Sequence, residues 1–181
     1  MNLLYGGKYH RRFTNIVHSM GSRVSSVCDL CFGDTVIAEW CRSHGIRWVG
    51  VDLNHHFCER ARALGFNALE GDIFSLKLPD ADVFIMAGSL YHFHARLGDF
   101  FDLVFSHTGR LLLSEPVRNL SSRQGLIGWW ARQSADPGDG DAKFRYNEQS
   151  LFEALSKQQR RVGIKYRVLS VDRDALIEVT C

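Results

Sequence analysis

Four short segments of this chain carry residue types that could hold a charged, hydroxyl-bearing ligand. The first reads Asp29-Leu30-Cys31-Phe32-Gly33-Asp34-Thr35. A carboxylate at Asp29 can take a cationic amine. Gly33 lets backbone approach a ligand closely, and the helix that follows favours negative groups at its start. The second reads Gly50-Val51-Asp52-Leu53-Asn54, where Asp52 can accept both hydroxyls of a ribose and Asn54 is the better helix cap. In the third, Glu70-Gly71-Asp72-Ile73, Asp72 can accept from the exocyclic amine of adenine, and Ile73 can supply backbone and an apolar ring contact. The fourth runs Ala87-Gly88-Ser89-Leu90-Tyr91-His92-Phe93-His94. Ala87 and Gly88 allow close passage, and an aromatic and two histidines follow. His92 is the first candidate for a base or positioning group, because an imidazole titrates near neutral pH. His94, Tyr91 and Glu115 come next.

These segments must be held by something, and the pattern around them supplies it. Strand-like and helical stretches alternate. Residues 8–20 have a helical period, with Phe13, Ile16, Val17 and Met20 on one side. Val24–Leu30, Arg47–Leu53, Phe66–Glu70, Val83–Ala87 and Arg110–Ser114 read as strands. Thr35–His44, His55–Leu64, Ala95–Phe105 and Asn147–Gln159 read as helices, the first capped by Asp34 or Thr35. Ile164–Val171 and Ala175–Thr180 flank a hairpin turn at Asp172-Arg173-Asp174. The order predicts an α/β, Rossmann-like three-layer sandwich: a mostly parallel seven-stranded sheet, helices on both faces, and one antiparallel strand from the C-terminal hairpin. Ligands bind such sheets beyond the strand C-termini, and the four segments lie there. The stretch 116–143 is the longest irregular connection and a candidate functional loop.

The 181 residues suit one domain, 1–181. A hydrophobic share of 45% and a charged share of 23% exclude a disordered or coiled-coil chain. With 22 basic and 20 acidic residues interspersed, charge gives no support to nucleic-acid binding. Five cysteines, an odd number in apolar runs, argue against a disulfide framework and for a reducing cytoplasm. Cys28-Asp29-Leu30-Cys31 is a poor redox motif, since Cys28 sits inside a strand and not at a helix start. His55, His56 and Cys58 lack a second well-spaced pair for zinc. The N-terminus has no secretory h-region, and no stretch reaches 18 apolar residues, so neither export nor a membrane span is expected.

Taken in order, the segments resemble the class I S-adenosylmethionine-dependent methyltransferases, in particular small stand-alone bacterial members. VCDLCFGD is similar to the glycine-rich first motif and VGVDLN to the second. EGDIF is similar to the adenine-side motif, DVFIMAGSLYHF to the fourth-strand motif, and LLLSEPV to strand five. The likeness is close over residues 24–116 and extends to the rest by pattern. It implies S-adenosylmethionine as cofactor and S-adenosylhomocysteine as product. It implies cofactor contacts from Asp29, Leu30, Cys31, Gly33, Asp52, Leu53, Asp72, Ile73, Ala87 and Gly88, and from Tyr9 in an N-terminal lid helix within 1–20. One departure stands out: Cys31 and Thr35 occupy glycine positions of the loop, and only Gly33 remains. His92, Tyr91 and Glu115 are the catalytic candidates. His94, Trp129, Trp130 and Arg118 are candidates for the acceptor pocket, with aromatic packing or a solvated face as the alternative roles.

The expectation is methylation of a small-molecule acceptor. A non-catalytic cofactor-binding or partner-binding domain is the alternative. A nicotinamide-dependent oxidoreductase would want Gly-x-Gly-x-x-Gly after strand one, and that spacing is missing. A nucleic-acid amino-methyltransferase would want Asn/Asp-Pro-Pro-Tyr after strand four, where this chain has Ala-Gly-Ser-Leu-Tyr. Protein methylation stays open. Oligomeric state has no signal.

Overall fold

A computed structural model describes residues 9–118 and 144–181. The helix α1 spans Tyr9–Met20, followed by β1 Ser26–Leu30, α2 Val36–Ser43, β2 Arg47–Asp52, α3 His55–Ala63, β3 Asn67–Glu70 and β4 Val83–Ala87. A 3-10 helix, Leu90–Arg96, leads into α4 Leu97–Phe105; β5 is Arg110–Pro116, α5 Glu148–Val162, β6 Lys165–Val171 and β7 Asp174–Thr180. The strands form one seven-stranded sheet in the order β3-β2-β1-β4-β5-β7-β6. β7 is antiparallel to β5 and to β6, and the pairs among β1 to β5 are parallel.

Burial on both faces explains the near-continuous apolar runs. All five residues of β1 are buried. On one face Phe13, Ile16 and Met20 of α1, Ile37 and Cys41 of α2, and Cys58 and Ala61 of α3 pack with Val27, Val83, Ile85 and Leu112. On the other, Leu90, Phe100, Phe101 and Val104 pack with Leu151 and Leu155 of α5 over Phe84, Met86, Leu111, Leu113 and Ile177. Local chemistry sets the helix ends. Asn54 accepts from the His56 N–H at 2.9 Å to start α3. Asn147 and Ser150 form a reciprocal capping box at α5, and Gly163, with φ of 75°, ends it. No helix among the described residues is long and apolar enough to cross a membrane.

Three details differ from the sequence expectation. The helix expected from Ala95 is preceded by 3-10 turns, whose threefold repeat stacks Leu90 over Phe93 and Tyr91 over His94. Thr35, the N-cap residue, makes no side-chain cap on α2; its hydroxyl donates instead to Glu39 at 3.0 Å, and Asp34 Oδ1 accepts from the Thr35 N–H at 2.7 Å. β5 runs two residues past Ser114, because β7 pairs with it as far as Pro116↔Asp174.

Gly50, in the middle of β2, leaves room for the Trp48 ring. A Cβ there would sit 2.2 Å from Trp48 Cη2 and 2.6 Å from Phe32 Cδ1. Both rings are buried and packed edge to face, so neither can yield. Gly50→Ala is expected to cost about 2–3 kcal/mol by overpacking, read as a lower midpoint in urea with an unchanged slope.

Candidate active site

The strand ends bring the four acidic candidates together. Asp29, Asp52, Asp72 and Glu115 all act electrostatically on the Cys31 thiol, and with burial they push its pKa up. Cys31 itself is held at φ of 53°, and Gly33 at 56°. Its N–H donates to the Val51 carbonyl at 2.7 Å, which ties the loop after β1 to β2. A left-handed backbone is natural for Gly33 and strained for Cys31. Cys31→Gly is therefore expected to stabilise the fold by about 0.5–1 kcal/mol, seen as a higher thermal midpoint. A fall in the midpoint would mean that the thiol's packing outweighs the strain.

Each acid is placed differently. Asp52 is buried at the end of β2, where its Oδ2 accepts from the Gly33 N–H at 3.1 Å and its Oδ1 from the Asn54 N–H at 2.8 Å. It thus clasps the loops after β1 and β2. Burial raises its pKa, and the backbone donors at Asn54, Gly33 and Leu53 oppose that. Leu53 beside it is 52% exposed, an apolar side chain left uncovered at the rim. Asp72 is exposed and accepts from the Phe74 N–H at 3.0 Å, while Ile73 next to it is buried. Leu30 is wholly buried in the core below the loop. Asp29 is 1% exposed; its Oδ2 accepts from Trp48 Nε1 at 3.3 Å, and its Oδ1 has no hydrogen-bond partner. Burial pushes its pKa up to about 8 against the Trp48 hydrogen bond, with Asp52 adding to the rise.

Glu115 lies across the sheet, at the end of β5. It is 1% exposed, its Oε2 accepts from the Leu90 N–H at 3.0 Å, and its Oε1 has no hydrogen-bond partner among the described residues. Burial pushes its pKa up to about 8, although Leu90, Arg12, Arg145 and the Tyr91 N–H all favour its ionised form. Ala87 and Gly88 run beside it, with the Gly88 N–H donating to the Ser114 carbonyl at 2.7 Å. Gly88 has φ of 77°, and a Cβ there would meet Arg12 Nη1 at 2.5 Å. Only glycine meets both conditions. Arg12 is buried, and donates from Nε and Nη2 to the two oxygens of Asp174, each at 2.9 Å. This bidentate pair fastens α1 to the start of β7.

The aromatic wall beyond β4 is interleaved with a segment that sequence reasoning missed. Tyr91 is buried beneath the Arg145 guanidinium, 3.7 Å above its ring. The half-buried His92 ring lies 3.9 Å from that of Tyr91. His94 stacks on Phe144 at 4.1 Å, and Phe144 meets Tyr146 edge-on at 4.9 Å. Burial raises the pKa of the Tyr146 hydroxyl, and Glu115 adds to it. Arg118 is exposed and 3.9 Å from Glu148, apart from this wall. Trp129 and Trp130, and the side chain of Tyr9, fall outside the described residues. Among the described residues, no cluster of His, Cys, Asp and Glu could hold a metal ion.

Residues 28–112 match the family model described as a methyltransferase domain. With the sheet order, this match identifies a methyltransferase domain of the class I arrangement within the chain. No curated protein matches the sequence. The fold is similar to the methyltransferase domain of bacterial CtHen1, with a TM-score of 0.71 at 14% identity over 94% of this chain and 97% of that one. A methyltransferase from Archaeoglobus fulgidus gives 0.67 at 16% identity, over 99% and 97%. Magnesium protoporphyrin IX methyltransferase from Synechocystis, solved with bound S-adenosylhomocysteine, gives 0.65 at 15% identity, over 98% and 84%.

Proposed function

We propose that the protein transfers the methyl group of S-adenosylmethionine to a small-molecule acceptor bound against Glu115 and the Tyr91–Tyr146 wall. The observation that carries this reading is the placement of Asp29, Asp52, Asp72 and Glu115 within two residues of the C-terminal ends of β1, β2, β3 and β5 in one sheet. A cationic ligand there would favour the ionised form of these carboxyl groups. The donor set fits the cofactor. Asp29 has a buried oxygen with no partner for an ammonium. Asp52 has lone pairs for ribose hydroxyls, exposed Leu53 offers an apolar surface to a base, and Asp72 with Ile73 would take the adenine edge. The cofactor supplies a methyl group on a positively charged sulfur. Ala87 and Gly88 give it room to meet the acceptor.

Of the three catalytic candidates, Glu115 is best placed to take a proton, because one of its oxygens is buried without a partner. Tyr91 and His92 shape the wall beside it, and His94 extends that wall through Phe144. Among the similar structures, magnesium protoporphyrin IX methyltransferase and mitomycin 7-O-methyltransferase act by their names on small molecules. Another is named a small RNA methyltransferase. The near balance of 22 basic and 20 acidic residues favours the first kind. We read the chain as one domain, 1–181, in which α1 covers the sheet; the rest of the expected lid and residues 119–143 of the expected insertion lie outside the described residues. Four described cysteines that are buried or half-buried and unbridged suit a reducing cytoplasm.

Two measurements test this reading. Calorimetric titration with S-adenosylhomocysteine is expected to give micromolar affinity. Cell extract incubated with the protein and methyl-labelled S-adenosylmethionine is expected to carry label in its low-molecular-mass fraction. Label found solely in RNA or protein would overturn the small-molecule acceptor, and binding without any transfer would favour a non-catalytic role.

A further inference from the structure

We propose that Trp48 is a positioning residue for the cofactor site: its indole N–H holds Asp29 oriented and ionisable, so that the free Asp29 oxygen receives the cofactor's ammonium. The inference rests on the cofactor reading above. Its basis is geometric. Trp48 and Asp29 are both buried on neighbouring parallel strands, with Trp48 two residues before Gly50, the partner of Asp29. Among the described residues, the indole Nε1 is the one hydrogen-bond donor to Asp29, at 3.3 Å to Oδ2, and Oδ1 has no partner. A buried carboxylate with one neutral donor and no cation is costly to ionise. A ligand that brings a positive charge to Oδ1 removes that cost.

The indole is itself locked. Phe32 and Phe66 meet it edge to face, at 5.3 Å and 5.7 Å between ring centres. Gly50 is bare where the ring crosses β2. The titratable groups facing Asp29 are Asp52 from β2, Cys28 and Cys31 on its own strand and loop, and Cys41 from α2. The face of α1 packed on the same cluster is apolar, with Phe13, Ile16, Val17 and Met20. None of these groups supplies a positive charge. Asp29 therefore keeps its proton in the ligand-free protein up to about pH 8 and releases it when the ammonium binds. Without the indole N–H, ionising Asp29 becomes harder still.

The experiment is calorimetric titration with S-adenosylhomocysteine across pH, in buffers of different ionisation enthalpy, on wild type, Trp48→Phe and Asp29→Asn. Wild type is expected to release close to one proton per ligand near neutral pH. Losing the donor raises the Asp29 pKa by about one unit, so Trp48→Phe weakens binding by ~10-fold near pH 6.5 and by less than ~3-fold near pH 9. The ligand's own amine titrates identically in every variant and cancels in these ratios. Asp29→Asn is expected to abolish the proton release, and Trp48→Phe added to it should change Kd by less than ~2-fold. A purely packing Trp48 would instead give a ratio independent of pH, or the same loss in both backgrounds, and either would overturn the proposal. If Trp48→Phe does not fold, Asp29→Asn decides alone: undiminished proton release from it would overturn the proposal. Failure of the wild type to bind would instead sink the cofactor reading.

Discussion

Replacing Asp52 with Ala is expected to weaken S-adenosylhomocysteine binding by ~100-fold, since each charge-assisted hydrogen bond lost is worth about 1.5–3 kcal/mol. Two losses combine. The ribose loses its acceptor, and the loop after β1 loses its clasp, because the Gly33 N–H donates to Asp52 at 3.1 Å. Asp52→Asn keeps one carbonyl oxygen for one of these duties and should fall between, at ~10-fold. The core clusters do not include Asp52, so circular dichroism should report an intact fold for both. A Kd for the Ala variant within threefold of wild type would remove Asp52 from the site.

Glu115→Gln is expected to lower turnover by ~100-fold or more, the usual range for a lost general base, while S-adenosylhomocysteine affinity stays within about threefold. On the proposed reading, the acceptor's O–H or N–H bond would break and its proton would pass to Glu115. The new bond to methyl forms as the carbon–sulfur bond breaks, its electron pair staying on sulfur. Glu115 must be ionised to do this, and its pKa lies at about 8. Wild-type turnover on the acceptor found by labelling should therefore rise with pH up to about 8 and then level. The variant should lack that rise. Stability should move the other way. The folded protein keeps the Glu115 proton where the unfolded chain has lost it, so stability falls from the ordinary carboxylate range up to about pH 8 and levels above. At pH 8 the Gln variant should melt roughly 2–5 °C higher, since it no longer buries a charge. Unchanged turnover with an unchanged pH profile would return the base to His92.

Much of the fold is legible in the chain, because buried parallel strands leave near-continuous apolar runs. Val83–Ala87 begins and ends as its pattern predicts, and the other strands shift by a few residues. The 3-10 turns at Leu90–Arg96 were not legible, because a threefold repeat leading into a helix blurs with its 3.6-residue period. The acids were legible because each lies within two residues of a strand's C-terminal end. Their partners were not. Trp48 reads as an ordinary strand aromatic, and Arg12 as the polar side of an amphipathic helix. Arg145 and Tyr146 simply precede a helix cap. Each becomes part of the site only through a contact across the sheet, such as Trp48 with Asp29 across 19 residues and Arg12 with Asp174 across 162. No local period encodes such a distance.

The position of β7 sets a timetable for synthesis. It follows the other six strands of the sheet in sequence, yet it lies between β5 and β6. Until it emerges, the edge of β5 stays unpaired, and Arg12, 162 residues earlier, waits for Asp174. The turn before β7 also accepts the Val117 and Arg118 N–H groups at the Arg173 carbonyl, at 3.0 and 3.1 Å. A nascent chain can thus complete the strand-end acids Asp29, Asp52 and Asp72 long before the walls around Glu115 close. The acids near the ends of β1, β2 and β3 lie on chain that precedes the strand completing the β5 side of the sheet.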